Sequence, residues 1–127
     1  MAKDLDYITL DNLTLISYGG GGCYSVKSCD KSAVCVTIPA LYNGFPVIGV
    51  ERNAFENCHD LMSVIFEEIP EDIYFNYYDI HYEIGDYAFS GCNMITEIEL
   101  PYYLKTIGRG AFHSCKNLKK ITFPHNA

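Results

Sequence analysis

No stretch of this sequence holds enough consecutive apolar residues to cross a bilayer as a helix, so membrane insertion is not expected. The first six residues, Met1-Ala2-Lys3-Asp4-Leu5-Asp6, place two acids where an export signal needs a basic region and an apolar run. As written the chain carries no signal peptide, which points to the cytoplasm. Bases are scarce as well. Nine face sixteen acids, the net charge is -7, and Lys116, Lys119 and Lys120 form the densest basic group. Phosphate backbones and anionic surfaces repel such a chain, so no nucleic-acid partner is expected. Cys-x-x-Cys pairs are missing, which removes the usual zinc spacing. Gly19-Gly20-Gly21-Gly22 is not followed by Gly-Lys-Ser/Thr and reads as a flexible link, not a phosphate loop.

What is present fits one folded unit: 127 residues with an apolar fraction of 49%. A pattern recurs along it. Ala54-Phe55-x-x-Cys58, Ala88-Phe89-x-x-Cys92 and Ala111-Phe112-x-x-Cys115 are each preceded by an Ile-Gly pair, at Ile48-Gly49, Ile84-Gly85 and Ile107-Gly108. Apolar residues follow each cysteine at fixed offsets: Leu61, Val64, Phe66; Ile95, Ile98, Leu100; Leu118, Ile121, Phe123. Ala54, Phe55, Cys58 and Leu61 share one face at helical spacing, which predicts a short helix in each repeat. The period then changes to two. Val64 and Phe66, Ile98 and Leu100, Ile121 and Phe123 alternate as the buried side of a short strand, and Pro39, Pro101 and Pro124 close such strands. Neither element buries its apolar side alone, so a period of 23 residues, Ala88 to Ala111, predicts stacked copies in a solenoid.

With order and spacing kept in three copies, the chain resembles the BspA-like leucine-rich repeats, over about residues 33 to 124. The expected architecture is therefore an α/β leucine-rich-repeat solenoid, one short helix and one short strand per repeat, forming a single domain over residues 1–127. Residues 1–32 lie outside the repeat. Ile8-Leu10 and Leu13-Leu15 alternate around Asp11-Asn12 and read as a β-hairpin that caps the first repeat. No equivalent element follows the last repeat strand, so the C-terminal face is open to a partner, to homo-association, or to further repeats.

The cysteines divide into two groups. Cys58, Cys92 and Cys115 occupy one repeat position and are expected as a buried ladder of small side chains. Cys23, Cys29 and Cys35, six apart and outside that ladder, read as ordinary thiols in a reducing compartment or as disulfide partners in an exported protein. His59, His81, His113 and His125 accompany no nucleophile motif and read as surface residues.

One break in the period stands out. Ala54 to Ala88 is 34 residues, an excess of 11 over the next interval, with the insertion at about 67–77. Residues 67–83 hold six acids and no bases. They also contain Tyr74, Phe75, Tyr77, Tyr78 and Tyr82, and tyrosine supplies contact area with a polar tip at small entropic cost. This loop is one candidate contact surface for a basic or polar protein; the competing reading folds its aromatics onto the array. The EF-hand ligand spacing is absent from it. A second surface is the outward side of the strands: Cys35 and Thr37, Ser63 and Ile65, Glu97 and Glu99, Lys120 and Thr122. It is mixed and small, and shows no strong chemical preference by sequence.

The functional expectation is a non-catalytic protein-interaction module requiring no cofactor. Resemblance to the BspA-like family implies a piece of an adhesive or surface array, outside the cell. The alternative from another class is a small cysteine- or metal-dependent enzyme or metal-binding protein.

Overall fold

The structure is a computed structural model that describes residues 5–18, 22–72 and 81–123. Among the described residues eleven strands follow one another. They are β1 (Leu5–Leu10), β2 (Leu13–Tyr18), β3 (Tyr24–Cys29), β4 (Cys35–Ile38), β5 (Leu41–Tyr42), β6 (Phe45–Val50), β7 (Ser63–Phe66), β8 (Tyr82–Ile84), β9 (Glu97–Glu99), β10 (Leu104–Ile107) and β11 (Lys120–Thr122). One seven-stranded sheet runs β1-β2-β3-β6-β8-β10, with β5 attached to β6. Its first three strands are antiparallel, and from β3 onward each new strand along the path adds in parallel. The opposite wall is split into two parallel pairs, β4 with β7 and β9 with β11.

The fold is thus a solenoid with a strand on each wall of a coil. The expected helix per repeat is absent: among the described residues 47 lie in strands and only Glu71 and Asp72 are helical. The Ala-Phe-x-x-Cys stretch is a run of turns, for a reason visible in its backbone. Asn53, Phe55 and Asn57 donate their N–H groups to Asp86, Ala88 and Ser90 of the next coil, at 3.0, 2.7 and 2.7 Å. Ala54, Glu56 and Cys58 donate within their own coil, three residues back, to Glu51, Asn53 and Phe55. The next coil divides its donors likewise, Tyr87, Phe89 and Gly91 outward to Arg109, Ala111 and His113, and Ala88, Ser90 and Cys92 inward. An α-helix needs every N–H for its own axis, four residues back. Positive φ at Asn53 and Asn57, Tyr87 and Gly91, Gly110 and Ser114 breaks the chain every fourth residue. That recurrence imitates a helical period while excluding a helix.

Side chains follow from this backbone. Phe55 and Phe89 stack at 4.7 Å and 13°, Phe89 and Phe112 at 5.5 Å and 5°, with Phe66 edge-on to Phe89. The thiols of Cys92 and Cys115 donate to the Phe55 and Phe89 carbonyls of the preceding coil, at 3.1 and 3.0 Å. Each of those carbonyls also accepts the N–H of its own coil's cysteine, so both lone pairs are used. Cys29, expected outside the ladder, is buried with it. Its N–H reaches the Ala54 carbonyl, and its thiol and that of Cys58 both point at the Asp30 carbonyl, at 3.5 and 4.0 Å.

The Ile-Gly pair marks where coils nearly touch. A Cβ on Gly85 would lie 2.6 Å from the Arg52 nitrogen, and one on Gly108 would lie 2.5 Å from the Asp86 nitrogen. Backbone atoms cannot step aside as a flexible side chain can. Gly85→Ala is expected to destabilise the fold by about 2 kcal/mol. Gly44→Ala, at a hairpin turn with φ +79° and no atom within 4 Å of the new methyl, is expected to lose only about 1 kcal/mol. Urea melts of the two variants check the order, and an equal effect would refute the close-approach argument.

Candidate functional site

The outward residues of the short strands are brought into register by pairing. Cys35 lies opposite Ser63 and Thr37 opposite Ile65; Glu97 lies opposite Lys120 and Glu99 opposite Thr122. Between β7 and β9 the ladder stops. The two strands are neighbours without hydrogen-bond pairing, and a groove of about 270 Å³ lies there, lined by Val64, Ile65, Phe66, Glu68, Glu99 and Leu100. Next to it, Val64, Glu97, Ile98, Glu99, Lys120 and Thr122 line a second, of about 440 Å³. At the hairpin end, Asp11 and Asn12 face Cys35 and Thr37 of β4 across a third groove of about 840 Å³, with Glu67 at its margin.

All eight outward strand residues expected from the sequence, Cys35 and Thr37 included, therefore lie on one wall. Ile65 is 57% exposed at its middle, a large apolar side chain ringed by polar ones. Asp11, which the sequence did not single out as a contact residue, and Glu67 and Glu68, which it placed in the acidic insertion, add carboxylates to Glu97 and Glu99. Lys120 is the one base among the residues lining these three grooves. The signal was present in Glu67-Glu68, which directly follow the repeat strand; their position beside the face depends on the fold.

The tyrosine-rich candidates fare differently. Tyr74, Phe75, Tyr77 and Tyr78 fall outside the described residues. Tyr82 is 2% exposed, in β8, with its ring edge-on to Phe66 at 6.0 Å, so it is a core residue and no part of a contact surface. Burial, with Glu68 nearby, pushes its phenol well above the usual range. At the start of the insertion, Ile69 is buried and the Glu67 carboxylate accepts the Ala40 N–H at 3.1 Å. These contacts tie the first insertion residues to the array.

Among the described residues, no three His, Cys, Asp or Glu side chains converge as metal ligands. No helix there is long and apolar enough to cross a membrane. Burial makes most of the thiols harder to ionise. Desolvation, reinforced by neighbouring Cys115 and Cys58, pushes Cys92 up to about 12. Cys23 and Cys115 are raised by burial. The neighbouring Cys29 side chain draws the Cys58 thiol down, while the same contact and burial push Cys29 up. Cys35 is the exposed thiol, at the lip of the large groove.

A family model of the BspA type leucine-rich-repeat region, in six copies, matches residues 51–127. The chain belongs to the BspA-type leucine-rich-repeat family. Its fold resembles that of a leucine-rich-repeat protein from Bacteroides capillosus, at 18% identity and a TM-score of 0.57, over 92% of this chain and 97% of that one. It also resembles the pneumococcal vaccine antigen PcpA, at 18% identity and a TM-score of 0.55, over 96% of this chain. The matched region is 39% of the PcpA chain. No curated relative matches by sequence.

The raised thiols of this leucine-rich-repeat protein make its stability fall in alkali. Below pH 9 the Cys92 proton is held in both folded and unfolded chains. Above it the unfolded chain releases the proton, while the folded one keeps it until about 12. Urea midpoints are expected to decline through this window, and less steeply in Cys92→Ala. An unchanged slope in that variant would contradict the assignment.

Proposed function

We propose that this protein is a non-catalytic binding module whose strand face takes up an extended, basic segment of another protein. The observation that carries this reading is the line of carboxylates, Asp11, Glu67, Glu68, Glu97 and Glu99, along the three grooves of one face. A basic chain laid there meets opposite charge along its length and an apolar contact at Ile65. Ser63, Thr122 and Thr37 offer hydroxyls for side-chain hydrogen bonds, and Lys120 disfavours a basic residue at its own position. Tyr74, Phe75, Tyr77 and Tyr78 belong to the same contact region in this proposal, because the insertion leaves the array directly after β7. The similarity to PcpA and to other bacterial leucine-rich-repeat proteins supports a place in a larger array at the cell surface.

Panning a randomised peptide library on the purified protein tests the reading. Enriched peptides are expected to be rich in Lys and Arg. Their affinity is expected to drop roughly tenfold in Glu97→Lys/Glu99→Lys and to be unchanged in Asp60→Lys, on the exposed turn side. Replacing Tyr74, Tyr77 and Tyr78 by Ser is expected to weaken binding without lowering the melting temperature. Acidic or neutral winners, or equal losses in the Asp60 control, would defeat the proposal. Stoichiometric zinc in the purified protein would revive the metal-protein alternative.

A further inference from the structure

The coil that precedes the first Ala-Phe-x-x-Cys repeat is shortened where it passes the cysteine ladder. Cys29 donates its N–H to the Ala54 carbonyl as Phe55 does to Ala88 and Phe89 to Ala111, so Cys29 stands in the phenylalanine position. Ala33 stands in the Leu61 position, because its N–H returns to Asp30 as that of Leu61 returns to Cys58, and because Val36 pairs with Val64. The step between these positions is four residues in the cap coil, Cys29 to Ala33, and six in the repeat, Phe55 to Leu61. A thiol thereby replaces the aromatic ring and lies against the next coil's cysteine.

The shortening also disturbs the thiol's acceptor. Cys92 and Cys115 each reach the phenylalanine carbonyl of the coil before, at 3.1 and 3.0 Å. The Cys58 sulfur stands instead 4.0 Å from the Asp30 carbonyl, and the Cys29 sulfur is 3.5 Å from the same oxygen. That oxygen already accepts the Ala33 N–H at 3.2 Å. A carbonyl has two lone pairs, so it cannot serve both thiols as well. The two side chains touch and are buried, Cys29 at 8% and Cys58 at 0% exposure. Hydrogen-bonded chains run about 4.8 Å apart, inside the range of about 4.4–6.8 Å that a disulfide spans between Cα atoms.

We propose that Cys29 and Cys58 are a disulfide-forming pair that bonds the cap coil covalently to the first repeat wherever the protein meets an oxidising thiol buffer. The bond forms by two exchanges with a small-molecule disulfide such as oxidised glutathione. One cysteine, as its thiolate, attacks a glutathione sulfur, releases one glutathione thiolate and forms a mixed disulfide. The thiolate of the other cysteine then attacks the protein sulfur of that mixed disulfide and releases the second glutathione. Two cysteines are oxidised, glutathione disulfide is reduced to two glutathiones, and these take up the two protons lost. The bridge removes both competing thiol donors and leaves the Asp30 carbonyl to Ala33. It closes a loop that contains β4, β5 and β6 and so restricts the unfolded chain. It uses no residue of the strand-face grooves and stands independently of the basic-segment reading.

Refolding the reduced chain from urea in a mixture of oxidised and reduced glutathione tests the pair, with alkylation and mass spectrometry of unreduced peptides as the readout. The product is expected to lose two hydrogens and to yield one cross-linked peptide pair, Cys29 with Cys58, while Cys23, Cys35, Cys92 and Cys115 remain open to alkylation in denaturant. Its melting temperature is expected to exceed that of the dithiothreitol-reduced protein by about 10 °C. That difference is expected to vanish in Cys29→Ser and to persist in Cys23→Ser/Cys35→Ser. A refolded chain in which Cys29 and Cys58 both stay open to alkylation would overturn the proposal, as would a bridge joining either of them to a different cysteine. A bridged chain that melts no higher than the reduced one would also defeat it, because the native coils would then not accommodate the bond.

Discussion

Everything in this fold depends on how the turn segment divides its backbone donors. Alternate N–H groups go to the next coil and the rest go three residues back. The division satisfies a buried stretch of backbone that is neither helix nor strand, and unsatisfied groups there would each cost about 1–3 kcal/mol. It also fixes the distance between coils. At that distance the Phe55 and Phe89 rings stack at 4.7 Å, close to ordinary strand spacing. The Cys92 thiol then reaches a carbonyl one coil back, and Gly85 has no room for a side chain. The conspicuous residues of the repeat are consequences of one hydrogen-bonding rule.

This explains which parts of the fold could be read from the sequence. Burial was legible, because an inward position recurs with the coil whatever the local backbone does: Ala54, Phe55, Cys58 and Leu61 are all buried. Local conformation was not, since a turn every fourth residue leaves the same apolar spacing as a helix. The positive φ of Asn53 and Asn57 is compatible with their residue type, and that of Tyr87 and Ser114 has no sequence signature at all. The Asn43-Gly44 pair carried a turn signal that the sequence reading passed over. Positive φ at both residues joins β5 to β6 in the turn that this dipeptide favours.

The candidate site was legible to a similar degree. Period-two alternation places Ser63, Ile65, Glu97 and Glu99 outward without any knowledge of the neighbours. The break between β7 and β9 is a matter of tertiary geometry, so the groove containing Glu68 and Glu99 was out of reach. Tyr82 shows the opposite failure. Its membership of an acidic, aromatic segment suggested a contact residue, but it occupies the strand position that Leu104 takes one coil later. Composition gave it the wrong company, and register returned it to the core.

Charge carries a further lesson because it is arranged along the solenoid axis as well as across its faces. Inside one molecule the basic coil that carries Lys120 lies on an acidic one: Lys120 is opposite Glu97, and the backbone N–H of Arg109 donates to the Asp86 carboxylate at 2.8 Å. That attraction supports the docking of a coil whose apolar positions are only half covered. A repeat stack has no intrinsic end, because each coil presents the surface that the next one needs.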